Sequence, residues 1–170
     1  MECTVLGNAT VDRTFDLGKL AQGQSVTFQI DESTDWVEEL LVKLSELGTG
    51  DAPGYYVKSS SLLANLTIKR SQTSVLGDCI LILGEVGARY LTSSVRTLKP
   101  SREDVSVKIN ICFMLEAFAE LNQYIDEVNV FCDGEVRDLY FYKGSALPLD
   151  QVITEQVLLS ANRFPRRLDD

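Results

Sequence analysis

Between Val26 and Ile30 apolar and polar residues alternate. Val26, Phe28 and Ile30 face one way and Thr27 and Gln29 the other, the period of a half-buried strand. The period then changes: Val37, Leu40, Leu41, Leu44 and Leu47 recur at helical spacing along one face. Ser33 or Thr34 is placed to cap that helix, and Asp35, Glu38 and Glu39 load its positive dipole end with negative charge. Gly48 supplies a stop, and residues 48–54 read as a loop on turn chemistry alone.

The middle of the chain reads as β. Ala64, Leu66 and Ile68 alternate with Asn65, Thr67 and Lys69, and an apolar run from Cys79 to Leu83 follows a polar turn. Gly84 and Gly87 are expected to break or bulge a strand that continues through Ala88, Tyr90 and Leu91. Val105, Val107, Ile109, Ile111 and Phe113 alternate strictly with Ser106, Lys108, Asn110 and Cys112, the cleanest strand pattern in the chain. Residues 115–127 lean towards a short helix. Residues 128–131 and 139–142 read as short strands, with Lys143-Gly144-Ser145 as the turn after the second. Asp150 can cap a last helix whose Val152, Ile153, Val157 and Leu158 face the core, ended by Asn162 and Pro165.

Short polar connections between successive strands favour antiparallel meanders over βαβ units. The expected fold class is therefore α+β: a mostly antiparallel sheet, curved or a partial barrel, packed by two amphipathic helices. No repeat or composition break divides the chain, so residues 1–170 read as a single domain with a tail frayed from about residue 163.

Composition sharpens this picture mainly by exclusion. Of 170 residues, 45% are apolar and 24% charged, an ordinary globular ratio. There is no histidine, which removes Ser-His-Asp and Cys-His catalysis and histidine-containing zinc sites. Cys3, Cys79, Cys112 and Cys132 form no C-x-x-C pair. Cys79 and Cys112 read as ordinary strand residues, and no metal site or cofactor is expected. The acidic start Met1-Glu2 and the lack of an apolar run after it argue against a signal peptide or a membrane partner, so a cytoplasmic location is expected.

The net charge of −9 is uneven: −7 over residues 1–57, +4 over 58–108 and −6 over 109–170. Within the basic middle, residues 89–102 carry Arg89, Arg96, Lys99 and Arg102 together with hydroxyl side chains and Tyr90. That is an inventory for phosphate contacts and for stacking on unpaired bases. The same cations also suit a solvated hairpin whose edge they blunt. No phosphate-binding loop accompanies them, since Gly84-x-x-Gly87 lacks the lysine and helix start such a loop needs. The neighbouring acids Glu38-Glu39 and Asp126-Glu127 point to different sides of a helix and read as solvated surface.

Three segments resemble the YceD family, the large ribosomal RNA subunit accumulation proteins. Phe15-Asp16-Leu17-x-x-Leu20-x-x-Gly23 is similar to the family's N-terminal strand and turn, and residues 95–100 resemble its central Arg-Cys-Leu-x-Pro block. Residues 139–144, followed by Leu147-x-Leu149-Asp150-x-x-Ile153-x-Glu155-Gln156-Val157-Leu158-Leu159, resemble its C-terminal signature before a proline, here Pro165. Ser94 and Thr97 stand where many members carry a Cys-x-x-Cys pair, so no role of that pair transfers. The resemblance implies a non-enzymatic part in accumulation or maturation of large-subunit rRNA. It carries over Arg96, Leu98 and Pro100 from the central block and Glu155 and Leu159 from the last one. Of these, Arg96 is expected to reach a partner, Pro100 to fix a turn, Leu98 and Leu159 to sit in the core, and Glu155 to make a salt bridge or backbone contact.

The leading expectation is a non-catalytic factor for large-subunit rRNA that meets RNA or a ribosomal or processing protein through Arg89, Arg96, Lys99 and Arg102. The alternative is an acidic adaptor that holds a basic partner without touching RNA. An unrecognised hydrolase ranks third, and no small-molecule substrate is expected.

Overall fold

The computed structural model describes residues 3–5, 13–48, 50 and 52–162. The tail expected to fray, with Pro165, lies outside the described residues, as do Thr49 and Asp51 of the expected loop. In chain order come β1 (Cys3–Val5), β2 (Phe15–Asp16), a 3-10 turn (Leu17–Lys19), β3 (Ser25–Asp31), α1 (Asp35–Ser45), α2 (Gly54–Lys58) and β4 (Ser61–Thr73). Then follow β5 (Gly77–Ser93), β6 (Pro100–Leu115), α3 (Glu116–Leu121), β7 (Asn129–Cys132), β8 (Glu135–Tyr142), β9 (Ala146–Leu147) and α4 (Leu149–Ser160).

Seven strands hydrogen-bond in the order β1-β3-β4-β5-β6-β8-β7, while β2 and β9 form a separate antiparallel pair. The class is α+β with a mostly antiparallel sheet, as the alternation led us to expect, and the sheet is not closed. Two neighbours depart from the meander rule. β1 runs parallel to β3, and β6 runs parallel to β8, with Cys112 opposite Leu139. The second crossover passes through α3, which the sequence suggested only as a lean towards helix. With α2 also present, the described residues hold four α-helices rather than two.

The chain gathers into two compact units. The first comprises Met1–Gln29, Asn65–Gly84 and Lys108–Leu149, and the second Ile30–Ala64, Glu85–Val107 and Asp150–Asp170. Four of the divisions fall inside β3, β4, β5 and β6, which each run from one unit into the other. A strand keeps its alternation across such a point, so no linker or composition shift marks it in the sequence.

In the first unit, residues 79–82 and 111–114 are all buried, so both faces of β5 and β6 are covered there. One face holds Leu81, Met114, Ala119, Val130 and Leu139 around three cysteines. Arg70 pins the 3-10 turn to the strands. Its guanidinium makes two bonds to Asp78 (2.7 and 3.2 Å) and donates to the carbonyls of Leu17 and Leu20. The expected glycine irregularity in β5 is at Gly84, with φ +148° and an ideal Cβ only 1.9 Å from the Asn65 carbonyl oxygen. At the other end of the unit, β7 and β8 form a hairpin with Cys132 opposite Glu135. Its two turn residues, Asp133 (φ 52°) and Gly134 (φ 86°), both adopt the positive φ that a type I′ turn requires.

In the second unit, α1 buries Trp36, Val37, Leu40, Leu41 and Leu44. Thr34 occupies the cap position without a side-chain cap bond, while Ser33 binds Asp31 instead. The helix ends against β5: Thr92 donates its hydroxyl to the Ser45 carbonyl (2.9 Å) and accepts from the Gly48 N–H (3.1 Å). Gly48 is more than a stop signal, because a Cβ there would lie 1.9 Å from the Ser93 carbonyl oxygen. α2 buries Tyr56, whose hydroxyl lies 3.3 Å from Ser93 Oγ. α4 buries Val152, Ile153 and Val157, whereas Leu159 is 64% exposed, which corrects its expected place in the core. Among the described residues no helix is long and apolar enough to cross a membrane.

Candidate functional site

The turn end of the β5–β6 hairpin, residues 85–107, lies in the second unit and carries all four expected cations. Arg89, Arg96, Lys99 and Arg102 are each exposed. Alternation explains two of them: Arg89 on β5 and Arg102 on β6 occupy outward positions between the buried Ala88, Tyr90 and Ser101. The other two belong to the turn between the strands. Ser94 is buried and builds that turn, accepting on Oγ from the N–H groups of Arg96 (3.2 Å) and Thr97 (3.3 Å). Its own N–H donates to the Lys99 carbonyl (2.9 Å), and its carbonyl accepts from the Leu98 N–H (3.0 Å). A serine hydroxyl at this position therefore acts as a local cap that draws the chain into a tight loop.

That loop holds Leu98 in the left-handed region, at φ 61°, with 67% of its surface exposed. The expectation that Leu98 belongs to the core is corrected: it stands at the tip, between Arg96 and Lys99. Left-handed backbone costs a residue bearing a Cβ on the order of 1 kcal/mol. Pro100 opens β6 directly after the turn. Glu155 is exposed on α4.

Two further findings narrow what the hairpin can do. Tyr90, the aromatic expected to stack on bases, has no exposed surface and cannot reach a nucleobase. Arg89 pairs with Asp104 at 3.2 Å, with side chains 73% and 68% exposed, so the pair contributes little and a stronger anion can displace it. Arg89 and Asp104 also line an open cleft of about 560 Å³ with Asp31, Glu32, Leu62 and Gly87. The Ser33 hydroxyl and N–H hold the Asp31 carboxyl below its ordinary range, which fixes the ionised form. A general acid would need the opposite shift.

Tyr90 makes a stability forecast possible. Its hydroxyl is buried with no hydrogen-bond partner among the described residues. Burial, with the charges of Glu103 and Asp104, pushes its pKa up to about 12. Raising a phenol's folded-state pKa leaves stability intact below its ordinary value near 10 and removes it as pH climbs towards 12. The wild type should lose up to about 3 kcal/mol over that interval. Tyr90→Phe should lose that dependence and gain about 1 kcal/mol at pH 7, because no unpartnered hydroxyl remains. Urea melts at pH 7 and pH 11 check both signs.

In the first unit the structure assembles a group that the sequence did not announce. The sulfurs of Cys79 on β5, Cys112 on β6 and Cys132 at the end of β7 all lie within 4.8 Å of one another, and all three residues are buried. Cys79 and Cys112 are the strand residues expected, but their convergence with Cys132 is a grouping that their wide spacing in the sequence did not suggest. Thiol hydrogen bonds from Cys112, and more weakly Cys132, hold Cys79 below its ordinary value. The bond to Cys79 and burial together push Cys112 well up, while burial raises Cys132.

Arg137, which the sequence reading passed over, fixes the third member. It is 5% exposed, and its Nε donates to the Cys132 carbonyl at 2.9 Å. The two remaining nitrogens reach the Asp133 carbonyl (3.2 Å) and Asn110 Oδ1. A sequence signal was present: Asp133-Gly134 is a strong hairpin marker, and it places Cys132 at the last pair before the turn. What the sequence lacked was any sign that this hairpin brings Cys132 to Cys79 and Cys112.

No protein family, curated protein or solved structure matches the chain.

Proposed function

We propose that this chain is a non-catalytic factor supporting accumulation or maturation of large-subunit ribosomal RNA, docking its β5–β6 hairpin on that RNA or on a ribosomal protein bound to it. The rRNA part of this reading rests on the resemblance of residues 15–23, 95–100 and 139–159 to the YceD family. The docking part rests on one observation: Leu98 is held exposed and strained between Arg96 and Lys99. An apolar side chain displayed at such a cost, flanked by cations, suits contact with a partner that is anionic around an apolar or base surface. With Tyr90 buried, stacking gives way to phosphate pairing by the cations and apolar contact by Leu98.

The test is co-sedimentation with large-subunit precursors. Changing Arg89, Arg96, Lys99 and Arg102 together to Gln should abolish it while leaving the circular dichroism spectrum unchanged. Direct RNA contact predicts a salt dependence of log K against log salt no steeper than about −3, for four phosphates on a single strand. Arg89→Gln alone should have only a small effect, since Asp104 already offsets its charge. Co-sedimentation that survives the fourfold change would overturn the reading.

A second reading is an acidic adaptor, supported by the exposed Asp35, Glu38 and Glu39 on α1. Under it, neutralising those three acids releases a basic protein partner, and the hairpin substitutions release nothing.

A further inference from the structure

We propose that Cys79, Cys112 and Cys132 form a closed, all-sulfur binding site for a single monovalent copper ion. Three thiols from separate strands meet in a space otherwise lined by Leu76, Leu81, Val130 and Leu139, with the Met114 thioether in the same cluster. Apolar packing alone gives no reason to gather three of the chain's four cysteines at one point, since valine or alanine fills such space without a weakly polar group.

The coordination number then selects the ion. At a metal–thiolate bond of about 2.3 Å, three sulfurs around one centre sit about 4 Å apart, close to the limit of 4.8 Å found without an ion. A shift of well under 1 Å per side chain therefore closes the site. The chain has no histidine, and among the described residues no carboxylate joins the three sulfurs as a fourth ligand. Exposures of 0, 0 and 2% place all three cysteines away from bulk solvent. Zinc requires four ligands, and its open sites complete the set with water. Soft sulfur donors in a trigonal set suit copper(I), which accepts three ligands and tolerates a thioether nearby.

Charge is also provided for. Copper(I) entry releases thiol protons to solvent and changes no oxidation state, leaving a net negative cluster. The buried guanidinium of Arg137, bonded to the Cys132 carbonyl and 3.6 Å from the Glu135 carboxylate, places a cation beside the cluster on that strand pair. β7 is an edge strand of the sheet, so movement of the β7–β8 hairpin offers the way in.

The experiment titrates the reduced full chain with copper(I) under anaerobic conditions against bicinchoninate, a coloured competitor. The expected result is one copper retained per chain, with X-ray absorption at the copper edge showing a shell of three sulfurs. Cys79→Ala, Cys112→Ala and Cys132→Ala should each weaken retention at least 100-fold. The absorption measurement on the wild type decides the matter if an alanine variant fails to fold. Three outcomes would overturn the proposal: no copper held against the competitor, copper retained equally by all three variants, or zinc(II) bound in preference to copper(I).

Discussion

Gly84→Ala is expected to cost at least about 4 kcal/mol in chemical denaturation, the largest effect of any single methyl addition outside the helix termini. Two causes act together. The backbone at Gly84 has φ +148°, which L side chains rarely adopt, and the added carbon would meet the Asn65 carbonyl oxygen at 1.9 Å. Asn65 belongs to β4, so the clash is with the neighbouring backbone and no rotamer change relieves it. Gly23→Ala is the control: it also has positive φ, at +79°, but nothing lies within 4 Å of its would-be Cβ. It should cost only about 1 kcal/mol, the backbone penalty alone. Equal losses at both positions would contradict the close approach of β4 and β5.

Arg137→Met should destabilise the protein by about 3 kcal/mol even though it keeps most of the side chain's bulk. The change leaves the Cys132 and Asp133 carbonyls and Asn110 Oδ1 without their donor, each in or beside a buried site. It also frees the β7–β8 turn, so native-state alkylation of Cys132, followed by mass spectrometry, should quicken about 100-fold. Arg137→Lys should not rescue either property, because a single ammonium cannot span three acceptors that the guanidinium fork reaches at once. Full stability with lysine would show that charge alone, rather than the fork, holds the turn.

These two residues also mark where the sequence was and was not legible. Periodicity exposed what depends on neighbours in the chain. The apolar faces of β3, β6 and α1 followed from local alternation, and Gly84 was suspected because it interrupts a strand pattern. The cations of the hairpin were legible for the same reason, since outward positions on a strand are set by parity. Long-range placement left no such trace. The parallel pairing of β6 with β8 depends on a crossover through α3, and short connections alone suggested a meander. Leu98 looked like core because leucine beside a strand usually is. Only the turn closed by Ser94 turns it outward, and the resemblance to a cysteine-bearing block drew attention away from that serine's capping role. The thiol cluster was hidden by distance: residues 79, 112 and 132 share no spacing that a motif could record, and only strand order joins them.

Docking through the tip of the β5–β6 hairpin, as proposed here, can be tested in cells. Its most direct measurement replaces Leu98 with a photo-crosslinking residue in cells, with the same residue at the exposed Leu159 of α4 as control. If the hairpin docks as proposed, large-subunit rRNA, or a ribosomal protein bound to it, is captured covalently from position 98 and not from position 159. Equal capture at both positions, or none at position 98, would contradict it.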